Sequence, residues 1–177
     1  MKIIILCLFL LNFLSANLLQ EAINNAPEGS VLKLPKGVYK GSIIINKPLS
    51  IIGKEDGVII DGGGIGTVIQ ITGSGNRHDL LDSAIKINNS KQSEISNCII
   101  KDSLFGIDIT MTNNSIFSNN YITSKDLELG LRGDGLRLWY SNDNIVSNNK
   151  LVKSRDMVIW YSHGNTVENN YGEQNRY

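Results

Sequence analysis

Residues 134–150 read DGLRLWYSNDNIVSNNK, and residues 156–171 read DMVIWYSHGNTVENNY. Trp-Tyr-Ser, a polar turn and an Asn-Asn pair return in the same order, with Trp139 and Trp160 separated by 21 positions. Two weaker copies lie upstream: IKINNSKQSEISNCII from Ile85 and IDITMTNNSIFSNNYI from Ile107. Corresponding positions fall 22, 29 and 21 residues apart. The second and third copies match as far as Asn113, after which the fit requires a one-residue slip. The extra length of the middle spacing is assigned to an insertion, TSKDLELGLRGDG, at 123–135. A period in the low twenties marks stacked units that bury their apolar faces against one another.

The apolar residues inside each copy alternate, as in Ile85/Ile87, Ile107/Ile109, Leu136/Leu138 and Met157/Ile159. A period of two places them on one face of a strand, and no copy sustains a helical period. The reading is therefore all-β, a solenoid of parallel strands rising about 4.8 Å per coil. Stacking then predicts neighbours. Ile95, Phe117, Val146 and Val167 share an interior position, and Cys98, Asn120, Asn149 and Asn170 form a ladder beside them. Asparagine suits it because its amide can both donate to and accept from the same residue one coil away, and because it tolerates turn conformations. On the outward face, Lys86, Asp108 and Arg137 are expected as an ordinary surface ladder of alternating charge.

Upstream of the copies, Leu18, Leu19, Ala22, Ile23 and Ala26 define one side of a short helix stopped by Pro27 and Gly29. Such a helix is expected to cap the first coil and protect its edge. SIIINKPLSIIG and GVIIDGGGIGTVIQI supply the first strands, with Gly62, Gly63 and Gly64 at a tight bend. The DGGG run lacks the Gly-Lys-Ser/Thr that a phosphate-cradling loop needs. The chain begins MKIIILCLFLLNFLSAN, with one lysine, a short apolar stretch and small residues at Ser15 and Ala16. Residues 1–16 are read as a secretory signal and 17–177 as the solenoid domain, stopping in mid-coil and so incomplete at its C-terminal end.

The 177 residues carry no net charge and no basic tract, which argues against a nucleic-acid partner. Of the two cysteines, Cys7 lies in the leader, so the mature domain keeps only Cys98, a small buried cap on the asparagine ladder. Carboxylates at Asp102, Asp108, Asp126, Glu128, Asp134 and Asp156 do not form an acidic pair on adjacent coils, and register sets Asp134 against Arg155. Glycoside cleavage needs two carboxyl groups across one bond. His78, Met157 and His163 are the candidate metal ligands, since imidazole and thioether suit copper in transit. Arg77, His78, Asp79 and Asp82 cluster in a second irregular stretch. Trp139 and Trp160, with Arg137 beside them, are expected to stack outward as a patch that holds a sugar ring or a protein partner.

The segments LQEAINNAPEGSVLKLPKGVYKG, IIDGGG, LFGIDI, GDGLRLWYS, RDMVIWYSHGNTVENNYGE and NRY together resemble the NosD family. These are periplasmic, right-handed parallel β-helix proteins involved in maturing nitrous oxide reductase. The resemblance implies a periplasmic, non-enzymatic accessory protein, peripheral to the membrane, that works with the subunits of a membrane ABC transporter. Its partners would be the reductase itself or a copper chaperone, and copper would be handled transiently, with no cofactor tightly bound. The alternative from the residues is a carbohydrate-binding or polysaccharide-processing β-helix. This chain departs from the family pattern in a shortened coil after TVIQI and in stopping after NRY, where relatives continue with further histidine and methionine.

Overall fold

The computed structural model describes residues 3–4, 14–64, 66–73 and 82–176. Every strand pairing among them is parallel, and three sheets run along the axis of a coil. The longest sheet orders Ile43–Ile45, Ile69–Thr72, Ser83–Asn88, Phe105–Thr110, Leu136–Trp139 and Met157–Trp160 side by side. A second holds Glu94–Ser96, Ile116–Ser118, Ile145–Ser147 and Thr166–Glu168, and a third Ile99–Ser103, Tyr121–Ser124, Lys150–Val152 and Tyr171–Glu173. The first coils add Ser30–Leu34 beside Leu49–Gly53, and Gly37–Lys40 beside Val58–Asp61. Two short strands, Ile3–Ile4 and Leu14–Ser15, pair with these from within the segment read as a signal.

Alternation in the sequence becomes inside and outside. Ile85, Ile107 and Leu136 stack in register with Met157, and Ile87, Ile109 and Leu138 with Ile159. Phe117 and Val146 follow Ile95 and precede Val167, as the repeat predicts. These side chains make one apolar column; a second surrounds Leu19, Ile23, Leu32 and Tyr39, and Ile69 and Ile71 pack against both. The one-residue slip after Asn113 does not exist. Ile107 pairs with Leu136, Phe117 with Val146 and Thr123 with Val152, a constant step of 29. The turn residues of the two copies differ, and ladder hydrogen bonds hold the register straight through them. All the added length sits between Ser124 and Leu136, around a single 3-10 turn, Leu129–Leu131. After TVIQI the chain returns to the long sheet quickly, Ile69 pairing with Ile85.

The helix Ala16–Asn25 covers the first coil. Leu19 and Ile23 are buried and Ala22 is packed beside them, but Leu18, expected on the same face, is exposed. Its place on the helix turns it past the edge of the apolar stripe. Gln20 caps the sheet edge directly, donating to the Ile44 carbonyl (3.0 Å) and accepting from the Ile44 N–H (2.7 Å), as the peptide of another strand would. Lys47 donates to the carbonyls of Asn24 and Ala26, satisfying the helix C-terminus.

The Asn-Asn pairs divide two tasks that the sequence reading gave to one residue. The first asparagine of each pair, Asn119, Asn148 and Asn169, and likewise Asn97 before Cys98, takes the left-handed conformation, with φ between 54° and 56°. The second builds the ladder inside the bend. Asn149 Oδ1 accepts from the N–H and Nδ2 of Asn120, while Asn149 Nδ2 donates to Phe117 O and Asn170 Oδ1. Cys98 heads the ladder, its N–H donating to Asn120 Oδ1 and its thiol to Ser96 O. Burial pushes the Cys98 thiol pKa up. A parallel ladder of Ser115, Asn144 and Asn165, invisible in the sequence because its members differ, does the same at the preceding bend.

Candidate functional site

The outward face of the long sheet gathers the charged ladder and the aromatic residues. Lys86, Asp108 and Arg137 are vertical neighbours by register. They are not a surface ladder, however: Lys86 is 3% exposed, Asp108 1% and Arg137 18%. Register predicts what lies along the axis but not what lies across the sheet, so the burial was not legible. Asp108 Oδ1 accepts from Arg137 Nε (3.0 Å) and Nη2 (2.9 Å), and Oδ2 lies 3.7 Å from Lys86 Nζ. Removal of these charges from water is tolerable because they are paired. Asp108 Oδ2 and Asn88 Oδ1 are sealed from solvent without hydrogen-bond partners among the described residues. The guanidinium of Arg137 lies 4.7 Å over the Phe105 ring, which fixes its plane.

Trp139 stands two residues beyond Arg137 on the same strand, and Trp160 lies on the next coil. Trp139 pairs with Trp160 in register, and their rings lie 5.1 Å apart at 48°. Tyr140 and Tyr161 stack at 4.9 Å and 11° and meet the tryptophans edge-on. The Trp-Tyr pair repeats as a unit, so both tyrosines join the aromatic face. Their backbones explain the placement: Tyr140 and Tyr161 occupy the left-handed corner, φ 49° each, held on the other coils by Asn89 and Met111. A bulky residue there costs about 1 kcal/mol, yet it turns the side chain back beside the preceding tryptophan. Trp160 is 55% exposed and Tyr161 67%, while Trp139 is half-buried beneath them.

The insertion before Leu136 is tied down at both ends. Lys125 bonds Asp82 and the Gly64 carbonyl, and Arg132 donates to Leu127 O and Gln174 O. The Gly62–64 bend is thus a seat for Lys125. Leu129 and Leu131 stand exposed at the tip. Asp134, directly after the loop, is buried against Arg155 (2.9 Å). Burial pushes its carboxyl above the usual carboxylate range against the opposing pull of Arg155.

The candidate metal ligands do not converge. Met157 packs against the apolar column, His163 is exposed in its turn, and His78 lies outside the described residues, as do Arg77 and Asp79. Among the described residues, no three His, Cys, Asp or Glu side chains gather as a metal site, and no helix is long and apolar enough to cross a membrane.

No curated protein sequence matches the chain. Its coordinates are similar to the crystal structure of alginate lyase from Paenibacillus sp. str. FPU-7, with 16% sequence identity and a TM-score of 0.59. That likeness covers 91% of this chain and 65% of that chain, and at this identity it concerns the fold alone. A family model described as "Right handed beta helix region" matches residues 56–177. With parallel coils, an interior of stacked apolar rows and asparagine ladders at the bends, the chain belongs to the right-handed β-helix family.

Proposed function

We propose that this protein is an accessory factor of the NosD type, acting in the periplasm during maturation of the copper centre of nitrous oxide reductase. Its part is to dock a protein partner, the reductase or the ABC transporter subunits, through the face built by Trp139, Tyr140, Trp160 and Tyr161. The observation that carries this reading is the half-exposed aromatic cluster, set beside carboxylates that are already committed to arginines. Aromatic side chains in such clusters supply much of the energy of protein interfaces. The paired state of Asp108 and Asp134 favours binding over acid–base hydrolysis at this face. Copper is the cargo of the process rather than a resident cofactor.

The test is capture. A W139A/W160A double variant should bind the reductase and transporter subunits at least tenfold more weakly, by about 1.4 kcal/mol or more, with an unaltered far-ultraviolet spectrum. Capture equal to that of the parent protein would overturn the proposal. A second reading, carbohydrate binding or processing, is favoured by the same exposed rings and by the shared fold with an alginate lyase. It requires glycan-dependent quenching of tryptophan fluorescence or release of sugar ends, and silence across acidic and neutral glycans would remove it.

A further inference from the structure

Resting on the docking proposal, we infer that Arg137 is a prepared carboxylate anchor, and that the aromatic face receives an acidic side chain of a partner protein flanked by apolar residues. Arg137 is held from two sides. Asp108 takes its Nε and Nη2 groups, and the guanidinium carbon lies 4.7 Å over the Phe105 ring. This leaves Nη1 without a partner among the described residues, while the side chain keeps 18% of its surface open. Arginine offers a planar fork of donors, and one whose plane is already fixed loses little freedom on binding a carboxylate.

The surroundings ask for the same chemistry. Neither indole N–H of Trp139 and Trp160 donates to a protein group among the described residues, and neither Tyr140 nor Tyr161 hydroxyl is bonded. The unpartnered acceptors, Asp108 Oδ2 and Asn88 Oδ1, are sealed beneath the face where no partner reaches them. The accessible rim is therefore rich in donors, and its complement is rich in acceptors.

Ring geometry selects a peptide over an acidic sugar. Tyr140 and Tyr161 lie parallel at 4.9 Å and so cover part of each other's faces. Trp139 is turned 48° from Trp160 and 61° from Tyr161. Successive rings set at angles give no single plane for a pyranose, but they form notches that suit branched and aromatic side chains around one carboxylate.

The full chain is titrated by tryptophan fluorescence with a capped pentapeptide, Gly-Leu-Glu-Phe-Gly, with its Glu→Gln counterpart and with oligomannuronate. The expected result is about tenfold tighter binding of the Glu peptide, a preference lost in R137Q and reduced in R137K, with both variants folded by circular dichroism. Equal affinity for the two peptides, no binding of either up to millimolar concentration, or a preference that survives in R137Q would overturn the inference. Saturable quenching by oligomannuronate with no response to the peptides would also overturn it and turn the face toward carbohydrate. Loss of partner capture in W139A/W160A combined with a failed peptide preference leaves the docking proposal standing and removes only the anchor.

Discussion

Replacing Asn149 with alanine tests the ladder on which the register rests. Asn149 is almost fully buried, and its side chain makes four hydrogen bonds: from the N–H and Nδ2 of Asn120, and to Phe117 O and Asn170 Oδ1. At about 1 kcal/mol each, their loss amounts to roughly 4 kcal/mol. The neighbouring residue is the control, because Asn148 is exposed, has φ 56° and carries no ladder bond on its side chain. Its replacement by alanine loses only tolerance of the left-handed backbone, about 1 kcal/mol. Urea unfolding, followed through Trp139 and Trp160 and through circular dichroism, should place N149A well below N148A in midpoint with a similar slope. A loss in N149A no larger than in N148A would refute the account, since it would mean that water replaces the ladder bonds at no cost.

Two further outcomes follow from the geometry. Gly106→Ala should destabilise by about 3 kcal/mol, because a Cβ there would meet Gly135 O at 2.2 Å and Ile122 Cγ2 at 2.5 Å. Gly130→Ala, in open space on the insertion, should change stability by less than about 0.5 kcal/mol, and comparable losses in both would contradict the packing. Asp134 sets a pH dependence: because burial raises its pKa in the folded state above the unfolded value, its ionised form opposes folding. The parent protein should gain stability relative to D134N as pH falls from neutral toward the ordinary carboxylate pKa near about 4. A difference in urea midpoints that runs the other way would refute this assignment.

The recurrence of Trp-Tyr-Ser and Asn-Asn was enough to place Phe117 beside Val146 and Asn120 beside Asn149, and to set Arg155 against Asp134. Such neighbours are legible because a parallel coil translates each residue onto its equivalent by one step, so the repeat in the letters is the contact itself. The same logic placed Trp139 against Trp160. It passed over Tyr140 and Tyr161, since asparagine and methionine hold their corner on other coils, and only the backbone conformation reveals the shared position.

Sequence alone therefore determined the solenoid, the stacking of its apolar and asparagine rows and the outward stack of tryptophans, all products of local alternation and repetition, whereas the register through the turn after Asn113 came from the ladder hydrogen bonds. Tertiary structure decided what that register does not encode. It buried Lys86 and Asp108, left one edge of Arg137 open over Phe105, and seated Lys125 on a bend 61 residues earlier. The reason is that burial depends on what crosses the sheet from non-equivalent segments. These segments do not repeat, so no periodicity in the chain announces where they lie.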